Sequence, residues 1–414
     1  MAIEGVILGI LALNEFVFIK SLHGNNYQLG FLFQFSMIIF LFLILINEFL
    51  KRINNRKRLL RIVALCTRLP LVMVFMFPHD MHETLNQGFY HYIFLGLFLI
   101  YFFGNIFIYP NINFLLKTKY QHQNFGKLYS YATSVNKIIM LIVTFLYGYL
   151  LDIDNYIFVY VIPIIGLLGV TSGFVLSSIA KVENTETPIE YSNKSILQSV
   201  FDSIREIKKI LLENIPYRHF EIGFMLYGFS FMISVTVITI YFYEGLNLNY
   251  TSVAFYRNAY NILAIILLPF FGKLIGNIDP RKFAVITYLS IAAYIFSLSM
   301  TEFLPGNFVI FNTTIYYTLI FYILFHGVFA ASMVLLWNIG SSYFCKPDEA
   351  GTYQSLHLSL TGVRAIFSPL LGVLFYEMFG FLITFGLAIL SLIGAMLLMV
   401  WSYKTDKTIS LKVV

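Results

Sequence analysis

The stretch that decides the fold is a polar loop between two long apolar runs, Gly272-Lys273-Leu274-Ile275-Gly276-Asn277-Ile278-Asp279-Pro280-Arg281-Lys282. A related loop lies 225 residues upstream, Asn47-Glu48-Phe49-Leu50-Lys51-Arg52-Ile53-Asn54-Asn55-Arg56-Lys57. At this offset Ile53 falls on Ile278, Arg56 on Arg281 and Lys57 on Lys282, and at an offset of 223 Asn26-Tyr27 falls on Asn249-Tyr250. A period of half the chain predicts two tandem copies of one membrane unit in the same orientation, an arrangement found in transporters.

The composition indicates a protein that is embedded in a membrane. Of the 414 residues, 59% are apolar and 12% are charged, and the mean hydropathy is +0.78. A soluble domain has charges on about a quarter of its residues. The two cysteines, Cys66 and Cys345, are far apart and carry no metal-ligand spacing. We therefore expect an all-α integral membrane protein with no disulfide framework, no metal site and no cofactor.

The apolar runs are long enough for twelve membrane-spanning helices, because a helix needs about 20 apolar residues to cross the hydrocarbon. The first six are predicted near 1–21, 27–48, 60–78, 87–109, 127–151 and 155–180, and the second six near 219–244, 250–272, 282–300, 309–343, 350–377 and 381–403. The tenth is too long for one perpendicular crossing, so we expect it to tilt or to extend past the membrane.

These spans define the predicted domains. An N-terminal six-helix bundle covers 1–180 and a C-terminal one covers 219–404, with a linker over 181–218 and a tail over 405–414. Within the linker, apolar residues recur at helical spacing from Ser195 onward, which predicts an amphipathic helix on the inner membrane face. This helix is interpreted as a tether between the bundles, with a regulatory partner site as the alternative.

The basic residues set the orientation. Of the 27 Lys and Arg residues, 22 fall in loops on one side, four fall within spans, and Lys20 alone falls on the other side. Because basic loops stay in the cytoplasm, both termini are predicted to be cytoplasmic, in a multi-pass protein of the cytoplasmic (inner) membrane. The net charge of +6 is thus a topology signal, and nucleic acid is not an expected partner.

Signals for an enzyme are missing from the sequence. There is no paired aspartate motif, no glycine-rich phosphate loop and no His-Glu-x-x-His. Asp152 and Asp154 are best explained as a polar cap at a span end. His79, His82 and His91 cluster near one membrane face, where solvated loop histidines are favoured over a metal site.

The Gly272 loop resembles the signature loop of the major facilitator superfamily, a family of transporters. The residues that match the family pattern are Gly272, Leu274, Pro280, Arg281 and Lys282, while Gly276, and Lys51 in the first copy, replace the family aspartate. The stretch from Gly351 to Arg364, with Pro369 to Gly372, looks like the eleventh helix of bacterial members. The resemblance implies a gating loop formed by Arg56, Lys57, Gly272, Asp279, Arg281 and Lys282. Asp279 substitutes for the missing aspartate, or the loop only marks topology.

Ionisable residues within spans mark candidate functional sites, since each costs at least a few kcal/mol at the bilayer centre. Five are singled out for substrate binding or ion coupling: Glu15, Lys137, Arg257, His326 and Arg364. The resemblance directs their helices to the transport cavity or to the interface between bundles. Arg68, on an outer helix, is interpreted as a packing or snorkelling group, and Glu221 as an interfacial residue.

Each candidate has a structural alternative. Glu15 and Lys137 share a bundle and could form an internal salt bridge. His326 could be a satisfied core histidine instead of a proton carrier. Arg364 could brace backbone carbonyls, because Gly362 and Pro369 loosen its helix.

The sequence therefore predicts a secondary active transporter that moves a small solute by alternating access, driven by a proton gradient, and that acts as a monomer in the lipid bilayer. No ATP-binding motif is present, so coupling must come from an ion or from the solute gradient. Three fixed cations against the single carboxylate Glu15 suggest an anionic solute, with Glu15 or His326 exchanging the proton. The alternatives are a polytopic membrane enzyme acting on a lipid-linked substrate, and a lipid or oligosaccharide flippase.

Overall fold

The computed structural model describes residues 2–42, 46, 55–80, 87–119, 122–179, 196–346 and 349–413. The chain forms two compact units, Met1–Asp202 and Ser203–Val414. Most of the first loop copy, His82 and linker residues 180–195 lie outside the described residues.

The described part of the first unit consists of helices. Its elements are α1 (Ala2–Leu11), α2 (Asn14–Lys20), α3 (Asn26–Ile38) with a 3₁₀ turn (Ile39–Phe42), α4 (Arg56–Arg68) with a 3₁₀ segment (Leu69–Met76), α5 (Gln87–Lys119), α6 (His122–Ile153) and α7 (Phe158–Ile179). Helix α1 packs closely on α6 because Gly5 and Gly9 have no side chains. An added Cβ would lie 2.6 Å from the carbonyl oxygen of Asn136 and 2.8 Å from that of Met140, respectively.

The second unit contains the amphipathic helix and the remaining spans. Its elements are α8 (Ile196–Glu213), α9 (Ile215–Ile240) with a π-turn (Tyr241–Gly245), α10 (Tyr250–Ile275), α11 (Pro280–Ser299), β1 (Asn307–Ile310), β2 (Thr313–Tyr316), α12 (Tyr317–Ile339), a 3₁₀ turn (Ser341–Phe344), α13 (Ala350–Ala365) and α14 (Ser368–Val413). Helix α9 lies at its centre and packs on α11, α13 and α14.

The chain reverses direction at Gly380, inside α14. Before Gly380, successive residues contact positions progressively later in α9 and its π-turn: Arg364 contacts Phe224, Gly372 contacts Ile233 and Tyr376 contacts Glu244. After Gly380, successive residues contact progressively earlier positions: Phe381 contacts Tyr241, Ser391 contacts Leu226 and Ser402 contacts His219. Gly380 has φ 77° and ψ −179°, a conformation that is essentially restricted to glycine. One residue thus separates the last two spans.

This reversal explains the number of membrane crossings. The described residues contain ten segments long and apolar enough to span a bilayer, and a shorter apolar segment, Asn26–Phe42. The last of the ten, Thr352–Asp406, contains Gly380 and so supplies two crossings. The predicted fold class of twelve membrane helices in two six-helix bundles is confirmed, and the chain is a multi-pass membrane protein.

The predicted tenth span was wrong at its start. Residues 307–316 form an antiparallel β-hairpin in which Asn307 pairs with Tyr316, and helix α12 begins only at Tyr317. The apolar, β-branched residues of the hairpin raise the hydropathy of the sequence as much as helical residues would. The predicted span was therefore too long because it included the hairpin, and not because the helix tilts or extends past the membrane.

Helix caps refine the internal repeat. Asn25 caps α3 and Asn249 caps α10, while Asn55 caps α4 and Asp279 caps α11, each by accepting a backbone N–H. Both pairs are 224 residues apart. The predicted offsets of 225 and 223 were each wrong by one residue, so Lys57, and not Arg56, is the counterpart of Arg281.

Candidate functional site

A buried Glu221–His357 pair, which is an ion pair when His357 is protonated, joins helices α9 and α13. His357 Nδ1 lies 3.0 Å from Glu221 Oε1 and 3.2 Å from Oε2, and the two residues are 1% and 2% exposed. Glu221, which the sequence suggested to be interfacial, is buried in the interior of the second unit. Helix α9 begins at Ile215, so Glu221 lies almost two turns inside it, where α13 crosses. His357 Nε2 is buried and has no hydrogen-bond partner among the described residues.

Arg364 is buried two turns beyond His357 on α13. Its Nη1 donates to the carbonyl oxygen of Phe224 at 2.6 Å, and its guanidinium lies 5.4 Å from the Phe224 ring and 5.7 Å from the Tyr227 ring. Gly228 makes the space, because a Cβ there would lie 1.7 Å from Arg364 Cζ. Arg364 Nε, in contrast, meets no hydrogen-bond partner in the described part of the chain.

The ion pair and Arg364 belong to one polar cluster in the interior of the second unit. The Phe224 ring packs edge-on against His357 at 4.3 Å and also contacts Arg364. Glu221 is close enough to Arg364 for their charges to interact. We name Glu221, His357 and Arg364 the buried charge cluster. It contains two nitrogen atoms, His357 Nε2 and Arg364 Nε, that have no hydrogen-bond partner among the described residues.

His326 lies in a second polar site, enclosed by rings. Tyr260 stacks on one face of the imidazole at 3.7 Å and Tyr294 on the other at 4.4 Å, while Tyr322 meets it edge-on at 5.1 Å. Its Nδ1 is buried and makes no hydrogen bond to the described residues. Arg257 lies one turn before Tyr260 on α10 and within electrostatic range of the imidazole. We name Arg257, Tyr260, Tyr294, Tyr322 and His326 the aromatic box.

Aromatic rings connect the two sites. Phe329 lies 5.9 Å from His326 and 6.1 Å from Tyr227, measured between ring centroids, and Tyr227 contacts Arg364. Tyr227 also stacks on Tyr288 at 5.1 Å. The second unit therefore brings Arg257 together with His326, and holds Arg364 apart from both behind a layer of rings.

In the first unit, Glu15 and Lys137 are not brought together. Helix α1 meets α6 at Gly9 and Met140, and further along Ser21 donates to the carbonyl oxygen of Asn155 at 2.6 Å. Glu15 lies between these two levels, whereas Lys137 lies below Met140. The two side chains originate at least two helical turns apart, or ~11 Å, which argues against the internal salt bridge.

The gating loop forms an ion cluster inside the second unit. Asp279 caps α11 and accepts hydrogen bonds from Arg281 Nε at 3.0 Å and Nη2 at 2.9 Å. Arg281 also donates to Ser402 Oγ at 3.0 Å and to Asp406, both near the end of α14. Lys282 lies over the Tyr403 ring at 4.3 Å. The loop thus fastens the start of α11 to the last helix.

The other predicted gating-loop residues are Gly272, Arg56 and Lys57. A Cβ at Gly272 would meet nothing within 4 Å. Arg56 starts α4, although the placement of its side chain is not described, and Lys57 is half-buried.

Sequence reasoning missed the pairing of Glu221 with His357. The two lie 136 residues apart, so no local pattern connects them. The available signal was Glu221 itself, a carboxylate within an apolar run that begins at Ile215.

The two units have the architecture of a secondary transporter, with helical spans and ionisable groups in their interior. The family model of the major facilitator superfamily matches residues 3–311 and 220–412. The chain belongs to this superfamily, and it is a transporter rather than an enzyme.

Solved structures with the same fold are known. A mutant of the nucleoside transporter NupG matches with a TM-score of 0.69 at 13% identity, covering 96% of this chain and 97% of that chain. The peptide transporter POT in complex with sulfate has a TM-score of 0.65 at 12% identity, covering 99% and 92%. A D-xylose-proton symporter has a TM-score of 0.62 at 12% identity, covering 96% and 95%. No curated protein gives a significant match.

Proposed function

We propose that the chain is a proton-coupled secondary transporter of the cytoplasmic membrane, in which the buried charge cluster carries the proton. It moves a small solute by alternating access, works as a monomer, and has both termini in the cytoplasm. The observation that carries the proposal is the fully buried Glu221–His357 ion pair beside Arg364. This cluster replaces Glu15 and His326 as the proposed proton carrier.

The physical argument rests on the cost of burying charge. Two opposite charges in a low-dielectric interior repay their desolvation only with good geometry and further hydrogen bonds. With His357 protonated, the cluster holds one anion and two cations. When His357 loses its proton, Arg364 Nε, which has no partner among the described residues, can turn to Glu221. The cluster thus has two states that differ by one proton.

We propose that the solute binds at the aromatic box and carries a negative group. A guanidinium can hold a carboxylate or phosphate with two parallel hydrogen bonds, so Arg257 is the proposed anchor. The rings around His326 supply apolar contact for the rest of the solute. Arg364, 2% exposed, is not proposed to touch it. Glu15 and Lys137 remain proposed contributors from the first unit.

The neighbouring structures support a small polar cargo and proton coupling, but not its negative charge. They are a nucleoside transporter, a D-xylose-proton symporter and proton-dependent oligopeptide transporters. Two of the three are described as coupled to or dependent on protons. All three are at most 13% identical to this chain, so they support the class and not the individual solute.

The deciding experiment measures proton binding without a solute. Purified wild type and Glu221→Gln are titrated in weakly buffered detergent from about pH 8 to about pH 6, above the pKa of about 4.3 of an ordinary glutamate, and over this range the wild type should take up about one more proton per chain. Glu302→Gln is the matched control, because Glu302 is an exposed carboxylate. Identical titration curves for wild type and Glu221→Gln would refute the proton-carrying role.

A transport assay tests the complete function. Proteoliposomes loaded with a pH-sensitive dye are exposed to nucleosides, sugars, peptides and carboxylates, and solute entry is followed by the internal pH. For any solute that moves protons with wild type, Glu221→Gln should abolish proton movement while solute exchange continues. Proton movement that persists in Glu221→Gln would contradict the assignment.

A further inference from the structure

The hairpin β1–β2 is fixed rigidly to the start of α10. Ser252 Oγ accepts a hydrogen bond from the Thr314 backbone N–H at 2.8 Å, and the Tyr256 hydroxyl bonds Thr314 O at 3.0 Å and Tyr316 N at 2.9 Å. At the tip, Asn249 Nδ2 donates to the Asn312 carbonyl oxygen at 2.7 Å. The side chains of α10 therefore satisfy backbone groups that would otherwise need water.

The outer surface of the hairpin is apolar. Phe311, at the turn, is 92% exposed, Val309 is 64% exposed, and Phe303 and Leu304, just before β1, are each 61% exposed. Between Glu302 and Lys346 the sequence contains no Asp, Glu, Lys or Arg. A contiguous exposed patch of this kind, with no charged residue within it, marks an interaction surface.

The apolar surface continues into the flanking spans. On α11 the exposed residues Leu289 and Phe296 are seven residues apart and so lie on one side of the helix. On α12 the exposed residues Tyr317, Phe321 and Leu324 continue from β2. Apolar faces of membrane spans that are exposed on the protein meet lipid.

We propose that the hairpin tip inserts into the interfacial layer of the bilayer as a lipid anchor. The anchor consists of Val309, Ile310 and Phe311, with Phe303 and Leu304 beside them. It lies at the end of the second unit away from Asp279, since α11 runs ~30 Å between the two. Satisfied backbone groups and the absence of charge suit the headgroup–acyl boundary. The hydrogen bonds to Ser252 and Tyr256 transmit this anchorage to the start of α10.

The test places single tryptophans in vesicles of phosphatidylcholine brominated at different acyl depths. In a background with Trp337→Phe and Trp401→Phe, Phe311→Trp should show blue-shifted emission and lose intensity to shallow bromines more than to deep ones. Leu289→Trp, at an exposed position in the middle of α11, should be quenched by deep bromines. Asn277→Trp, on the exposed turn before α11, should be hardly quenched.

A second measurement keeps both native tryptophans, so it does not depend on whether their replacement disturbs the fold. Val309→Cys, in a background with Cys66→Ser and Cys345→Ser, is labelled with a nitroxide, and its relaxation by oxygen should exceed its relaxation by a water-soluble nickel complex. Phe311→Trp emission that is as red and as unquenched as that of Asn277→Trp would overturn the proposal. So would blue-shifted emission that bromines leave unchanged, because the tip would then be covered by protein.

Discussion

The two units share their helix caps and differ in their buried arginines. The caps of the third and ninth spans, Asn55 and Asp279, are separated by the same 224 residues as those of the second and eighth, Asn25 and Asn249. Arg68 and Arg364, in contrast, occupy positions with no counterpart in the other half. Duplication has kept the positions where helices begin, and the chemistry inside each unit has diverged.

The two arginines differ in how completely their donors are used. Arg68 donates to Tyr101 O at 2.6 Å and Asn105 Oδ1 at 2.5 Å, and its guanidinium lies 3.7 Å from the Tyr101 ring. All of these partners are neutral. Arg364 has one backbone acceptor, an unpartnered Nε within the described structure, and a neighbouring carboxylate. An arginine held by neutral, fixed groups stabilises a fold, whereas one beside an ion pair can change partners.

The largest expected effect comes from removing each arginine. Arg364→Gln leaves the Glu221 carboxylate with one cation fewer, which should cost about 3–5 kcal/mol of stability and abolish proton-coupled transport. Adding Glu221→Gln should restore much of the stability without restoring transport. Thermal unfolding in detergent and the proteoliposome assay measure the two quantities.

Arg68→Gln is the matched variant in the first unit. It removes the hydrogen bonds from Arg68 to Tyr101 O and Asn105 Oδ1, at a cost of about 1–3 kcal/mol, while transport per folded molecule should be retained. If Arg68→Gln abolished transport and Arg364→Gln did not, the contrast between the two arginines would be reversed.

A smaller effect is expected from filling the space beside each arginine. A Cβ at Gly228 would lie 1.7 Å from Arg364 Cζ, whereas a Cβ at Gly169 would lie 3.0 Å from Arg68 Cγ. Gly228→Ala must displace the guanidinium and should cost about 1–3 kcal/mol. Gly169→Ala meets a flexible stem and should cost less. Equal losses of thermal stability would mean that Arg364 has more room than the structure shows.

Substitution in the predicted gating loop should cost a similar or smaller free energy of unfolding, and the structural change should be confined to one membrane face. Arg281→Ala breaks its bonds to Asp279, Asp406 and Ser402, and charge-assisted bonds contribute about 1.5–3 kcal/mol. We expect higher reactivity of a cysteine placed at Tyr403 towards a water-soluble maleimide. Lys282→Ala, which loses only a ring contact, is the control. Unchanged reactivity in Arg281→Ala would reduce the loop to a topology signal.

The smallest expected effect tests the shared caps. Asn25→Ala and Asn249→Ala each remove a side-chain acceptor at a helix start, which should cost about 1 kcal/mol in either unit. Asn249→Ala loses in addition the bond to the hairpin carbonyl of Asn312, so its cost should be the larger. Thermal unfolding of the two variants makes the comparison, and a larger cost for Asn25→Ala would contradict it.

The sequence predicted the parts of the molecule that depend on local pattern. Apolar length and basic loops predicted the spans, and the repeated loop predicted the two units to within one residue of the spacing between caps. The hairpin was not predicted, because hydropathy does not distinguish a β-branched strand such as Thr313–Tyr316 from a helix. The contact between Glu221 and His357 was not predicted, because it depends on how α9 packs on α13. Spacing along the chain does not encode that packing.

The reversal at Gly380 bears on how the protein is made. One residue lies between the last two spans, Met378 and Phe379 are exposed beside it, and Glu377 is the charged residue nearest to the bend. Because so short a turn leaves no loop between them, we expect both helices to enter the bilayer together as one hairpin. Gly380→Ala would strain the bend, and its first consequence would be faulty insertion during synthesis, before any finished transporter exists to unfold.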